Sequence, residues 1–325
     1  MTARKKILVV IDPTSEEQPA FSKATELARR IDAELALLTC LFDPDIARAQ
    51  WVTGQTLEHI RDEAIDAHFE SLERLAEPLR SEGLSVSAKI IWDNPLHEAI
   101  VREALNIEAD FVVKDTHHHS AVSRALFTNT DWHLIRECPC PLWLVKPTPA
   151  AREARVMAAV DPVHEADEDA ALDRRIVDVA QLFSVLFEER LQLVHVFTPP
   201  PPPIIGMFPT AVPTEPVEDM IAQARQAHAE ALNSLATDTG VPAGRIHLRE
   251  GSQIDLLPAT AGELHAGVVV MGAVARSALR RLIIGHTAER TLERFPCDVV
   301  IVKSADFESP IAALPPIYGS VEKSA

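Results

Sequence analysis

VVVMGAVARSALRRLIIGHTAERTLERFPCDVVIVK, residues Val268–Lys303, repeats without a gap the register of an earlier stretch, FVVKDTHHHSAVSRALFTNTDWHLIRECPCPLWLVK, residues Phe111–Lys146. At one constant offset Ser120 meets Ser277, Arg124 meets Arg281, Thr130 meets Thr287, Pro139 meets Pro296, Cys140 meets Cys297 and Lys146 meets Lys303. Self-similarity of this kind makes the chain two copies of one domain, so a question about function becomes two questions about two related sites.

The two copies extend outward from these stretches. Lys6–Ile11 (KILVVI) and Arg155–Val160 (RVMAAV) are short apolar runs, each ending in Asp-Pro, at Asp12-Pro13 and Asp161-Pro162. Apolar runs without period-2 alternation, interleaved with helices, suit strands buried on both faces of a parallel sheet. Acidic stretches follow, Ser15-Glu16-Glu17 and Glu165–Asp169, which favour a helix start through its dipole. Second strands are expected at Glu34–Leu41 and Leu191–Phe197, third strands at Val86–Trp92 and Arg245–Leu248. Fourth strands are expected at Phe111–Lys114 and Val268–Met271, fifth strands at Leu142–Val145 and Val299–Val302. In the long second helix of the first copy, Ile60, Ala64, Ala67, Leu72, Leu75 and Leu79 are read as the apolar face. In the second copy that connection holds Pro199–Pro203 and then Ile204, Ile205, Met207 and Phe208, an apolar flap held off by stiff polyproline and in need of cover.

The fold class that follows is α/β, two tandem doubly wound domains, each with a five-stranded parallel sheet in the order 3-2-1-4-5. Domain 1 is set at 1–147, a linker at 148–154, domain 2 at 155–304 and an irregular tail at 305–325. In such a fold ligands meet the loops at the carboxyl ends of the strands. Those ends bring together Asp12, Leu41 and Asp115 in one copy, and Asp161, Phe197 and Gly272 in the other.

Bulk properties narrow the function. A chain of 325 residues accommodates two domains of about 150 residues each. Its 31 basic and 48 acidic residues give a net charge of −17, which repels nucleic acid unless a local basic patch intervenes. The basic cluster worth weighing is Arg276, Arg280 and Arg281, with Arg276 a candidate phosphate partner. No apolar run reaches the ~20 residues of a membrane helix. The opening MTARKKILVVIDPT is read as a first strand rather than a secretion signal, because Asp12-Pro13 interrupts its short apolar core, and the expected compartment is the cytoplasm. Cys138-Pro139-Cys140 is read as structural, since Phe295 and Cys297 stand at the aligned positions.

In the second copy Gly272 closes strand four and Gly285-His286-Thr287 opens the last helix. A glycine permits close backbone approach, and free amides at a helix start attract an anion. This loop resembles the nucleotide loop of the universal stress protein family, Gly-x2-Gly-x9-Gly-(Ser/Thr), written here as Gly272, Ala275, Gly285 and His286, with Thr287 next. The resemblance runs from about residue 5 to 304. It is closest to the tandem-domain branch, through IDPTSEEQPA near the start and FTNTDWHLIRECPCPLWLVK at Phe127–Lys146. It implies the adenine nucleotide alpha hydrolase-like (HUP) architecture and a stress-response protein that binds a small ligand. It further implies ATP or another adenine nucleotide in domain 2, with Mg²⁺ as its candidate counter-ion. Asp161 then lies on the adenine or metal side, the Val196 backbone faces the base, and Gly272, Ala275, Arg276, Gly285, His286 and Thr287 surround ribose and phosphates. The domain 1 counterparts are Asp12, Asp115, His118, Thr128, Asn129 and Thr130. Every glycine is lost there, so domain 1 is expected not to bind ATP in the family manner.

His117-His118-His119 are candidate ligands for Zn²⁺, weighed against a plain polar loop, with His133 nearby in sequence on the last helix. No phosphate-cradling Gly-x4-Gly-Lys-(Ser/Thr), His-Glu-x2-His or Gly-x-Ser-x-Gly motif is present, so no catalytic step is expected beyond weak ATP hydrolysis. The alternative is an interaction or sequestering protein whose pockets take an apolar molecule, a metal or a partner segment. The fifth strands, ending LWLVK and VIVK, invite strand addition. That leads to the expectation of an intramolecular pseudo-dimer, with a homodimer of chains as a further possibility.

Overall fold

The computed structural model describes residues 4–42, 54–118, 125–147, 154–163, 170–187, 190–199, 217–273, 291–314 and 320–323. The chain divides into two compact units, unit 1 comprising Met1–Pro149 with Asp306–Ala325, and unit 2 comprising Ala150–Ala305.

Unit 1 runs β1 (Lys6–Val10), α1 (Pro19–Ile31), β2 (Glu34–Leu41), α2 (Gly54–Ser81), β3 (Val86–Trp92), α3 (Leu96–Asn106) and β4 (Phe111–Asp115). Two-residue strands β5 (His117–His118) and β6 (Ala125–Leu126) pair with each other, followed by α4 (Asn129–Glu137) and β7 (Leu142–Val145). The sheet order is β7-β4-β1-β2-β3 with every pair parallel, the doubly wound 3-2-1-4-5 arrangement expected from the sequence. Ile7, Leu8, Val9, Val112, Val113, Leu144 and Val145 are all at most 1% exposed, so the central strands are covered on both faces. Each such side chain contributes roughly 1.5–3 kcal/mol on burial, and this explains why these strands read as unbroken apolar runs rather than as alternation.

Three local expectations are corrected. Helix α1 begins at Pro19, whose fixed φ suits a first helical position, and its first turn carries no acid; Glu16 and Glu17 precede it. The buried face of α2 is Ile65, Phe69, Leu72, Ala76 and Leu79, while Ile60 is 40% exposed. The 4-3-4-3 spacing that carries Phe69 inward outweighs the stripe drawn through Ile60, Ala64 and Ala67, which holds only one large side chain in its first two turns. The tail, expected to be irregular, carries β13 (Ser320–Lys323), antiparallel to β3 with Val321 opposite Ile90. A strand of four residues is too short to show periodicity, and its partner lies far away in sequence.

Unit 2 runs β8 (Arg155–Ala159), α5 (Ala170–Ser184), β9 (Leu191–Phe197), α6 (Val217–Thr239), β10 (Ile246–Glu250), α7 (Gln253–Glu263), β11 (Ala266–Gly272) and β12 (Asp298–Val302). Its strand order is β10-β9-β8-β11-β12, all parallel, the same topology again. The buried positions of α1 (Ala20, Ala24, Thr25, Leu27, Ala28) recur at identical spacing in α5 as Leu172, Ile176, Val177, Val179 and Ala180. The repeat is therefore legible in packing as well as in sequence. Among the described residues no helix is long and apolar enough to cross a membrane.

Candidate functional site

The carboxyl ends of β1, β4 and the start of α4 define the site in unit 1. Helix α4 opens on a capping box. The Thr128 side chain accepts from the Asp131 amide, while Asp131 Oδ2 accepts from the Thr128 amide at 2.7 Å and from its hydroxyl at 2.8 Å. Asp131 is fully buried, and the Lys114 ammonium, from β4, stands 2.9 Å from its Oδ1. That contact is one of charge rather than an aligned hydrogen bond, since Oδ1 has no hydrogen-bond donor among the described residues. Lys114 also donates to the Asp115 carbonyl at 2.9 Å. A helix start is where a phosphate would be expected to bind. Here a carboxylate of the chain, with its own counter-cation, occupies that electrostatic role.

The neighbouring expected residues are likewise engaged internally. Asp12 Oδ1 accepts from the Thr14 amide at 2.8 Å and from the Thr14 hydroxyl at 2.6 Å, a tight turn closed on itself. Asp115 Oδ1 accepts from the Ala20 amide at 2.8 Å, satisfying one of the donors that the first turn of α1 leaves open. Thr128 is the N-cap of α4, Asn129 is exposed and Thr130 half-buried. His118 pairs through its backbone with Ala125 and His117 with Leu126; the side chains of both, and all of His119, lie outside the described residues.

Bulk has moved between strand and helix in the two copies. Where unit 1 has Asp115 above the small Ala20 and Ala24, unit 2 has Gly272 beneath Leu172 and Ile176. A Cβ on Gly272 would lie 3.0 Å from Leu172 Cδ2 and 3.3 Å from Ile176 Cδ1. Glycine there lets β11 come close to α5 irrespective of any ligand.

The rest of the unit 2 site is built around Asp161, just beyond β8. Its amide donates to Asp173 Oδ1 at 3.0 Å, and its own Oδ1 is buried with no hydrogen bond among the described residues. Among the described residues, His195 Nδ1 stands 3.9 Å from that oxygen. His195, only 1% exposed, lies 2.9 Å through Nδ1 from the Val160 carbonyl and 2.8 Å through Nε2 from His228 Nδ1. A carbonyl only accepts, so the proton sits on His195 Nδ1, and neutral His195 then accepts at Nε2 from His228. Burial pushes the His195 pKa below its ordinary value, with His228 adding to the effect and the Val160 carbonyl and Asp161 opposing it. The His228 ring stacks on Phe197, with centroids 4.4 Å apart. The Val196 carbonyl, expected to face a base, accepts from Gln253 Nε2 at 3.1 Å.

Ala275, Arg276, Gly285, His286 and Thr287 lie outside the described residues, as does the flap from Pro200 to Phe208. The sequence reading had not singled out Lys114, Asp131, Asp173, His195, His228 or Gln253. For the first two a signal was present: Lys114 aligns with Met271 and Asp131 with Ala288, a charge pair gained or lost together. The cysteines read as structural are free thiols, Cys138 and Cys140 being buried with their sulfurs 3.9 Å apart.

A family model described as "Universal stress protein family" matches residues 3–146 and 154–303. Universal stress protein E of Escherichia coli (strain K12) is 28% identical over 312 residues, covering 96% of this chain and 98% of that protein. Universal stress protein E of Photorhabdus laumondii is 26% identical over 315 residues, covering 96% and 99% respectively. Among solved structures, a functionally unknown protein from Pseudomonas aeruginosa PAO1 superposes with a TM-score of 0.71 at 26% identity, over 94% of each chain. A universal stress protein from Archaeoglobus fulgidus DSM 4304 gives 0.63 at 15% identity, covering 92% of this chain and 98% of that one, a likeness of fold alone.

Proposed function

Because the chain belongs to the universal stress protein family, we propose that it is a stress-response protein that binds an adenine nucleotide in unit 2 and none in unit 1, without a catalytic step. The difference between the two helix starts carries this reading. In unit 1 the anion position is filled by Asp131, fully buried and 2.9 Å from Lys114. The aligned pair in the second copy is Ala288 and Met271, which supplies neither the internal anion nor its counter-cation. An external phosphate then takes that place, on the amides of Gly285, His286 and Thr287, with Arg276 as its cation. The buried, unsatisfied Oδ1 of Asp161 fits a donor on the nucleoside or a Mg²⁺ held with the phosphates. Mg²⁺, when bound, supplies charge neutralisation to the phosphates. The chain's own part is to orient the nucleotide and to exclude water with Val196 and Phe197, both buried. The cytoplasm as compartment and a second chain as partner belong to the same reading.

Isothermal titration with ATP and Mg²⁺ tests it. The wild type is expected to show one site, Gly285→Trp to lose it, and Thr130→Trp, at the aligned surface of unit 1, to keep it. Equal binding by the wild type and Gly285→Trp removes the assigned site.

One contact favours a second reading. With the Gln253 amide on the Val196 carbonyl, the acceptor expected to recognise a base is already satisfied, which suits a ligand or partner segment that does not need it. Native mass spectrometry of the purified protein separates the two, by the mass of nucleotide or of an apolar molecule.

A further inference from the structure

Unit 1 brings together three metal-ligating side chains that lie apart in sequence. His133 and Glu137 stand one turn apart on α4, where i and i+4 share a face, and His97 comes from the first turn of α3. His133 Nδ1 is 3.1 Å from Glu137 Oε1, and His97 Nε2 is 3.5 Å from Glu137 Oε2. All three ligand atoms lie within 4.8 Å of one another. With metal–ligand bonds of about 2.0–2.1 Å, the edge of a tetrahedron is ~3.3 Å; the two separations to the carboxylate, one to each of its oxygens, lie close to that length.

Burial distinguishes this cluster from a chance grouping at the surface. The His97 and Glu137 side chains are 13% and 19% exposed, and Glu137 Oε2 is buried without an aligned hydrogen bond. A buried carboxylate oxygen that lacks a donor is costly to leave unsatisfied, and a cation bound by both oxygens or by one would satisfy it. The two imidazole rings stack, with centroids 3.9 Å apart and planes within 14°, so one ring turns about its Cβ–Cγ bond to bring both in-plane lone pairs onto one ion.

We propose that His97, His133 and Glu137 form a binding site for a divalent ion of the zinc class. Imidazole and carboxylate together suit Zn²⁺, Co²⁺ or Ni²⁺ rather than Mg²⁺ or Ca²⁺, which take oxygen ligands. Two histidines and one glutamate leave a fourth position for water or for a ligand atom from elsewhere. The site is distinct from the His117–His119 run and from the nucleotide position in unit 2. It is joined to the tail, since the Ser309 hydroxyl donates to the Glu137 carbonyl at 2.7 Å. Binding the ion would therefore tie α3 to α4 and, through Glu137, to the tail at Ser309.

Equilibrium dialysis of chelator-treated full-length protein against Zn²⁺, followed by elemental analysis, gives the stoichiometry; Co²⁺ in its place reports geometry through its visible absorption. One ion per chain is expected at the cluster, lost in His97→Gln and in Glu137→Gln, and kept when His117, His118 and His119 are all replaced by serine. Zn²⁺ is also expected to raise the unfolding temperature of unit 1 in the wild type and not in His97→Gln, with circular dichroism showing that both variants are folded. A chain that takes up no Zn²⁺ at about 100 μM free ion overturns the proposal. So does uptake that survives both substitutions, or that disappears only with the His117–His119 replacement.

Discussion

Replacing Asp131 by alanine removes a carboxylate that is fully buried, caps α4 and faces Lys114 at 2.9 Å. The loss of a capping interaction costs about 0.5–2 kcal/mol. The larger cost is Lys114, 8% exposed, left as a buried charge without its anion; breaking a buried pair from one side costs about 3–5 kcal/mol. About 4 kcal/mol in total is expected for Asp131→Ala, and only about 1 kcal/mol for the double variant Lys114→Met with Asp131→Ala. The double variant installs the pair that the second copy carries as Met271 and Ala288, leaving no charge to strand. The chain provides its own assay. All four tryptophans, Trp51, Trp92, Trp132 and Trp143, belong to unit 1, so guanidinium unfolding followed by tryptophan fluorescence reports that unit and not its neighbour. A double variant as unstable as Asp131→Ala would refute the argument, because the damage would then come from the lost cap or the lost volume rather than from an uncompensated ammonium.

Three further outcomes follow. The folded-state pKa of His195 is depressed, so the unfolded chain binds that proton more readily; the stability it contributes is complete above about pH 6.5 and is lost as pH falls below that value. His195→Asn keeps a donor for the Val160 carbonyl and removes the titrating ring, and calorimetry should show its stability falling less steeply than the wild type's from pH 6.5 to 5; equal slopes would assign the effect elsewhere. Removing residues 306–325 strips β13 from β3 and is expected to produce assembly that grows with protein concentration in sedimentation runs, since an uncovered strand edge invites pairing; a concentration-independent monomer would contradict this. Gly272→Ala places a methyl group 3.0 Å from Leu172 Cδ2 and should cost about 1–3 kcal/mol, read by chemical denaturation followed by circular dichroism; an unchanged midpoint would contradict the close approach of β11 to α5.

The fold was readable from the sequence because its strands are buried on both faces. Runs such as KILVVI and VVVM need no partner information to be recognised, and the repeat at constant offset fixed their order twice over. What escaped was whatever depends on a distant partner. Strand β13 is four residues long and gains its meaning only opposite Ala88–Ile91. The face of α2 was misdrawn because period 3.6 admits neighbouring stripes, and the choice between them falls to the packing of Phe69. That Cys138 and Cys140 are buried was legible because Phe295 and Cys297 stand at the aligned positions.

The candidate site divides along the same line. Asp161 and Gly272 could be placed at strand ends by topology alone, yet their surroundings could not. That Gly272 also makes room for Leu172 and Ile176 requires knowing what lies above the sheet, and that Asp12 and Asp115 are consumed by Thr14 and Ala20 requires the loops themselves. The substitutions that remove glycine from the first copy are therefore not simple losses of a ligand site. Asp115 takes over an open amide at the first turn of α1, its bulk accommodated by Ala20 and Ala24. Asp131 and Lys114 together meet the helix start that a phosphate would otherwise fill. On the proposed reading, these paired changes close the unit 1 site from within. On the reading proposed above, binding in unit 1 belongs to a different surface, where, among the described residues, His97, His133 and Glu137 bring three potential ligand atoms within 4.8 Å of one another.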